Sequence, residues 1–568
     1  MKAITTIVTI FLFLFVLTTV KADDAIENLF IDNSRPVNSS VSDVPFPLPA
    51  PPASTGMRLL GERTIDINFE LLTDPNQESF MLNLTGDLRV LVWTMKVVWR
   101  SPTNFTWYGF FDGRSVENII ITVIDGRAYS YVKYDNRNFI IRTILGNSGQ
   151  NRDFPINYSL AEVAGDLTIQ KDDALYPPHY QNLQKVKRVP EEGTHQNQNQ
   201  NQDLIYAKAD DDGSLIDVLV VYTTAVNTGA SAMGGIDLII QSAEDGANLA
   251  LSNASVNYSI RIVQAQQVAY EETGNLSTDL NRITGTSDGY LDEIHTIRTQ
   301  VGADFVSFWT DYIGGPYAGL GWLLTPGSVA YNAPYAFSTI AILNYSSFML
   351  TFTHELGHNW GAHHDRANAS GSGAYSYSYG YYTGTYGTVM SYLGTRLYYF
   401  SNPEKSYNGH VLGVSSDNAT TSADNRLTLN NMAAQGASYT STVVDTTTTT
   451  TTNNRGTNTT TTRTTSSSTP LASLTIKESS TVVEGCFFAT AIYGTPWARE
   501  VRILRHFRNK YLSTSDVGRS VVKSYYRHSP GPASKVGRFL RKHPMLRKAI
   551  QYMLLPMISL ASYTSSFK

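Results

Sequence analysis

His354-Glu355-Leu356-Gly357-His358-Asn359-Trp360-Gly361-Ala362-His363-His364-Asp365 reads H-E-x-x-H-x-x-G-x-x-H-D without a gap. A helix brings residues four apart onto one face, so His354 and His358 can address the same metal ion. Glu355 sits beside them, placed to take a proton from a metal-bound water. Gly361 is expected to end the helix, because glycine alone enters the left-handed conformation cheaply. The turn it makes lets His364 supply a third nitrogen from outside the helix. Three protein ligands and one open position are the pattern of a catalytic Zn²⁺ site, whereas a structural site is closed by four. The bland alternative is a helix whose histidines are ordinary core or surface residues.

Working outward, Gly387-Thr388-Val389-Met390-Ser391-Tyr392 follows downstream. The extended histidine motif together with such a Met-turn is the metzincin signature. On the N-terminal side, Leu215-Ile-Asp-Val-Leu-Val-Val-Tyr222 is a nearly continuous apolar run, as in a central strand covered on both faces. A helix is expected over about 234–252, with strands over 257–264, 303–309 and 319–324 and the histidine helix over about 347–360. The alternation implies a mixed α/β domain over 214–440, with Gly319 to Leu324 as an edge strand beside a cleft.

The chain has 568 residues, room for about three or four domains. Its hydrophobic fraction of 42% and charged fraction of 16% describe a globular protein. The net charge of −4 hides an asymmetry, because basic residues outnumber acidic ones about fourfold beyond Lys477. The remainder is acidic, and no nucleic-acid partner is expected. Residues 1–22 read as a cleaved signal peptide, with Lys2, an apolar run from Ile4 to Val20, and small or branched residues at Val20-Lys-Ala22. A secreted, extracellular protein is therefore expected. Eleven N-x-S/T acceptors, Asn83 and Asn253 among them, are in keeping with a glycosylated surface. The single cysteine, Cys486, rules out an intramolecular disulfide and lies far from any N-terminal segment that would cap the metal with a thiol.

Residues 23–63 form a Pro/Ser-rich segment and 64–170 a β-rich region where a prodomain would sit. Its strands are expected at Thr64–Leu71, Asp87–Trp93, Ile119–Ile124 and Phe139–Ile144, with Asp125-Gly126 as a turn. A polar linker, 171–213, contains Lys185-Val-Lys-Arg188, which reads either as a processing site or as a basic surface patch. Residues 441–475 are a Thr/Ser-rich stalk.

The histidine motif with Asp365 after it, Ile216-Asp-Val-Leu-Val-Val-Tyr-Thr223, Gly302-Ala-Asp304 and Tyr399-Phe-Ser-Asn-Pro403 resemble the reprolysin (adamalysin-like) branch of the metzincins. The likeness is to the bacterial reprolysin-like and peptidyl-Asp metalloendopeptidases. Disulfides and Cys-rich domains of the animal ADAM proteins are absent. The resemblance implies a zinc metalloendopeptidase acting on protein or peptide substrates. His354, His358 and His364 would hold the metal, Glu355 would be the general base, and Met390 a hydrophobic floor beneath the histidines. Asp365 would orient the helix end through a buried hydrogen bond. Met390-Ser-Tyr392 is similar to the turn of astacins and serralysins, which leaves Tyr392 either a helper at the metal or one more packed tyrosine. Residues 484–568 resemble the CFI-box module and read as basic amphipathic helices, suited to an anionic membrane or matrix surface or simply solvated. Calcium binding and oligomeric state are left open. The rival to a protease is a non-catalytic adhesion or matrix-binding protein on the same scaffold.

Overall fold

The computed structural model describes residues 27–32, 58–74, 77–112, 114–135, 137–144, 157–164, 174–178, 215–311, 317–342, 348–418 and 420–440, the backbone of 444–452 and 458–466, and scattered positions between 492 and 558. The expected signal peptide, the Lys185–Arg188 site, Cys486 and most of 484–568 lie outside them. Among the described residues no helix is long and apolar enough to cross a membrane.

The N-terminal sheet has nine strands: β1 (Phe30–Asp32), β2 (Arg58–Ile67), β3 (Ser79–Asn83), β4 (Arg89–Ser101), β5 (Asn104–Phe111), β6 (Arg114–Ile124), β7 (Arg127–Tyr134), β8 (Arg137–Ile144) and β9 (Asn157–Ala164). Their order is β1-β2-β9-β8-β7-β6-β5-β4-β3, and neighbours run antiparallel. Asp125 and Gly126, at φ 48° and 78°, make the tight β6–β7 turn expected of an Asp-Gly pair. Two expectations are corrected. Within the 23–63 segment, Phe30–Asp32 forms β1 and Arg58–Arg63 the start of β2, so these described residues belong to the sheet. Phe69-Glu-Leu71 leaves the strand and enters a short helix, α1 (Phe69–Thr73), which buries Leu71 and Leu72.

Both faces of β5 are buried, so burial along it does not alternate. Phe105, Trp107, Ile119 and Ile121 face the sheet's own core with Phe80 and Phe139. Tyr108 and Ile120, one residue out of phase, pack on Leu249 of the second domain.

The second sheet contains β10 (Ala174–Leu175), β11 (Leu215–Thr223), β12 (Ser259–Val268), β13 (Phe305–Thr310), β14 (Gly319–Trp322) and β15 (Phe337–Ala341), in the order β10-β14-β15-β13-β11-β12. β11, β12, β13 and β15 run parallel, and β14 is antiparallel to β15. The helices are α2 (Thr224–Ser231), α3 (Ile236–Ala254), α4 (Leu276–Thr284), α5 (Glu293–Val301), α6 (Val329–Asn332), α7 (Phe348–Asn359) and α8 (Asn425–Gly436). The expected mixed α/β architecture is present, with boundaries within a few residues of those read from the sequence. The linker expectation is corrected at one point. Ala174 and Leu175 pair parallel with Gly321 and Trp322, so β14 is not the outermost strand.

Helix α3 is the seam between the two units. Asp245 is buried and accepts from Thr106 Oγ1 at 2.6 Å, from Tyr108 Oη at 2.9 Å and from the Arg100 guanidinium. Arg127 forks onto Asp237 at 2.9 and 2.6 Å. Among the glycan acceptors, the amide nitrogens of Asn83 and Asn253 donate to Phe30 O and Tyr398 O, so a sugar would contest an internal hydrogen bond there. The Thr-rich stretch pairs its backbone as an antiparallel hairpin, Val444–Thr452 with Asn458–Ser466. At the C-terminal end, Arg547 Nε donates to Ile492 O at 2.8 Å.

Candidate active site

Helix α7 is buried along its whole length, so its polar residues stand in an apolar setting and need partners. It ends as the sequence requires. Gly361 has φ 86°, its N–H donates to His358 O at 2.9 Å, and Ala362 N–H reaches Gly357 O at 2.8 Å. These two bonds form a Schellman cap, which reverses the chain into β16 (His363–Asp365). His364 thereby returns to the helix face that carries His354 and His358.

The three imidazoles meet edge to edge. His354 Nε2 is 3.1 Å from His358 Nε2 and 3.1 Å from His364 Nε2, and all three residues are buried. His354 Nδ1 faces Val389 O at 2.9 Å, and His358 Nδ1 faces Ala362 O at 2.9 Å. A carbonyl only accepts, so each of these Nδ1 atoms carries the proton and each Nε2 keeps its lone pair. Lone pairs facing one another in a buried site repel unless a cation lies between them. The donor set fits zinc, which takes neutral imidazole nitrogens at about 2.0–2.1 Å.

Glu355 faces β14. A Cβ at Gly321 would lie 3.2 Å from Glu355 Oε2 and 3.0 Å from Glu355 O, and a Cβ at Gly319 would fall inside the carboxylate. Glycine at both positions lets the helix and the strand approach closely. Asn359 locks that approach, donating through Nδ2 to Trp322 O and Phe337 O at 2.9 Å each. The sequence reading placed Gly319 and Gly321 in this strand but missed their close approach to Glu355 and the role of Asn359, although Gly319-Leu-Gly321, with small residues at the strand period, carried the signal.

Met390 is buried beneath the helix, where a Cβ on Gly357 would come 2.6 Å from its Sδ, in keeping with a hydrophobic floor. Asp365 corrects an expectation. It ties the third histidine to the Met-turn and not to the helix end: Oδ2 accepts from Ser391 Oγ and Tyr392 N at 3.1 Å each, and Oδ1 accepts from Asn368 Nδ2 at 2.7 Å. Tyr392 comes to the metal site, its hydroxyl 2.9 Å from His364 Nε2. His363 is not part of the trio; its ring stacks on Tyr379.

Residues 214–401 match the reprolysin-type model of metallo-peptidase family M12 (Reprolysin_5). The chain is 35% identical over 232 residues to a peptidyl-Asp metalloendopeptidase of Stenotrophomonas maltophilia, covering 39% of this chain and 52% of that one. It is 34% identical over 230 residues to a protein of the same name from Xanthomonas campestris pv. campestris, covering 39% and 51%. The chain thus spans about half the length of the curated relatives it matches. Among solved structures, metalloproteinase-II from Bacteroides fragilis aligns at a TM-score of 0.31 and 10% identity, over 62% of this chain and 90% of that one. Residues 214–401 carry a reprolysin-like metallopeptidase domain. Metallopeptidases of this family use a catalytic zinc, which His354, His358 and His364 suit.

Proposed function

We propose that the chain is the latent form of a secreted zinc-dependent endopeptidase, with preference for bonds next to aspartate as the names of its relatives suggest. The observation that carries this reading is the convergence of three buried imidazole Nε2 atoms beside a carboxylate held against β14. Zinc, when bound, supplies Lewis-acid polarisation of the scissile carbonyl and lowers the pKa of water from about 16 toward about 7. Glu355 takes the proton of the attacking water and returns it to the leaving amine. The Tyr392 hydroxyl, beside the trio, donates a hydrogen bond to the carbonyl oxygen as it gains charge. The substrate backbone adds to β14 as an extra strand, which holds the bond over Glu355.

In the unprocessed chain that edge is taken. Leu323 N donates to Leu175 O at 2.6 Å, and the Tyr176 hydroxyl donates to Ser372 O at 2.9 Å. The Tyr176 ring stands edge-on to that of His363. Latency therefore comes from strand addition by residues 174–178, without a thiol. A cut in the following linker, followed by release of the N-terminal sheet, frees the edge. The basic composition of the C-terminal segment suits it to an anionic membrane or matrix surface.

The test is mass-spectrometric mapping of a peptide library cut by the processed protein, with and without a chelator. Cleavage that stops on chelation and returns with Zn²⁺ is expected. Cleavage indifferent to chelation would overturn the metal's role. A processed, zinc-loaded protein that cuts nothing would favour the adhesion reading.

A further inference from the structure

Tyr176 is held by more than its strand. β10 sets Ala174 opposite Gly321 and Leu175 opposite Trp322, and Tyr176 follows just past the end of that pairing. Its ring stands edge-on to His363, with centroids 6.2 Å apart, and its hydroxyl donates to Ser372 O at 2.9 Å. The His363 ring is in turn 5.0 Å from that of His364 and 6.2 Å from that of His358. One imidazole thus has Tyr176 for a neighbour as well as two of the three metal-site histidines.

The wall that Tyr176 meets belongs to the catalytic domain and is braced from within it. His363 is buried and stacks on Tyr379 with 15° between the planes. The Tyr379 hydroxyl donates to Gly371 O at 3.0 Å, which ties the Gly371-Ser372 segment to that ring. The Arg366 guanidinium lies over the Tyr379 ring at 3.9 Å. Gly371 supplies the room. A Cβ there would overlap the Tyr176 hydroxyl and lie 3.1 Å from its Cζ. Gly371 does not have a positive φ, so its backbone does not demand glycine, and the phenol end does.

We propose that this is a substrate subsite. His363, Tyr379 and the backbone of Gly371 and Ser372 receive an aromatic side chain, tyrosine above all, from the peptide that takes the place of residues 174–178 on β14. The inference rests on the peptidase reading and names a side chain that reading leaves open. An edge-to-face ring contact with His363 selects an aromatic group, and the Ser372 carbonyl selects a hydroxyl at its tip. The register also places the residue in the substrate. Tyr176 comes level with Leu323, four residues along from Gly319, where the Glu355 carboxylate stands. At about 3.3 Å per residue the two points are at most about 13 Å apart, so the aromatic residue falls within about four positions of the cut.

The experiment uses the processed protein, made by cutting the full chain in its linker. It is given peptides that share one cut site and carry Tyr, Phe, Leu or Ala at each position within about four residues of the cut. One position is expected to favour Tyr over Ala by about 10- to 100-fold in kcat/KM, as for burial of an aromatic side chain. Tyr should exceed Phe there by about 2- to 10-fold, as for one neutral hydrogen bond. In Gly371→Ala the Tyr:Ala ratio at that position should fall about tenfold or more, because the methyl group takes the place of the phenol end. Binding of a labelled Ala-Leu-Tyr-Pro-Pro peptide, the sequence of residues 174–178, is followed by fluorescence anisotropy with the processed Glu355→Gln protein. It should weaken in the same way when the peptide's Tyr becomes Ala and when Gly371 becomes Ala. That arm needs no turnover, so this dependence in a protein that cuts nothing would uphold the subsite and sink the peptidase reading alone. No aromatic preference at any position, or one that Gly371→Ala leaves intact, would overturn the assignment.

Discussion

Gly319→Ala adds one methyl group at the most constrained point of the site. The new Cβ would lie 2.7 Å from both Cγ and Cδ of Glu355, and closer still to Oε1. Carbon atoms in contact sit about 3.5–4.0 Å apart, so the carboxylate must retreat by about 1 Å. The fold should tolerate this. Gly319 does not have a positive φ, so alanine fits its backbone, and the group that must yield is the end of a flexible side chain. Overpacking costs about 1–3 kcal/mol, offset in part by about 0.4–1 kcal/mol from a stiffer unfolded chain. Catalysis should not tolerate it. A misplacement of about 1 Å costs on the order of 10²-fold in rate, or about 2.7 kcal/mol of barrier. The assay is kcat/KM on a peptide substrate, with zinc content by mass spectrometry and thermal melting as controls. Full zinc occupancy, a melting point within a few degrees and a roughly hundredfold loss of activity are expected. Activity within about threefold of the unmutated protein would refute the claim that Glu355 works from this position against β14.

Three further outcomes are expected. Tyr176→Ala removes the hydrogen bond to Ser372 and the contact with His363, so residual activity of the unprocessed chain should rise while that of the processed form stays the same; equal latency in the two chains would contradict strand addition as the block. Tyr392→Phe should retain zinc and lose about 10- to 100-fold in kcat, as for a hydrogen bond to a charged group, and an unaltered kcat would make Tyr392 a packing residue. Burial raises part-buried Glu244 from 4.5 to about 7, against the opposing charge of Arg100. The folded chain then holds a proton that the unfolded chain releases, so stability is greatest below about pH 4.5 and declines as pH rises to about 7. Denaturant melts should show that slope, worth at most about 3 kcal/mol before screening by the solvent Glu244 still touches, and Glu244→Gln should flatten it.

Helix α7 and its cap were legible because histidine spacing, Gly361 and the Met-turn each report a local geometry. β11 was legible because a strand covered on both faces is apolar at nearly every position, Asp217 being the break in the run. What stayed hidden depends on contacts distant in sequence. A two-residue strand at Ala174–Leu175 has no periodicity to detect, and only its pairing with Gly321 and Trp322 gives it meaning. Phe69-Glu-Leu71 looks like strand because its apolar residues alternate, yet the chain turns there into α1, where the adjacent Leu71 and Leu72 are both buried. Asp365 was recognised as a buried acceptor, but its donors, Ser391 and Tyr392, lie across a turn that the sequence does not fold on paper.

The central claim is that Glu355 performs proton transfer beside a zinc held by His354, His358 and His364. The direct measurement is zinc stoichiometry together with product mapping for the processed protein and for Glu355→Gln. The account predicts about one zinc per chain in both, with cleavage in the unmutated protein alone. Matching cleavage patterns and rates from the two proteins would contradict it.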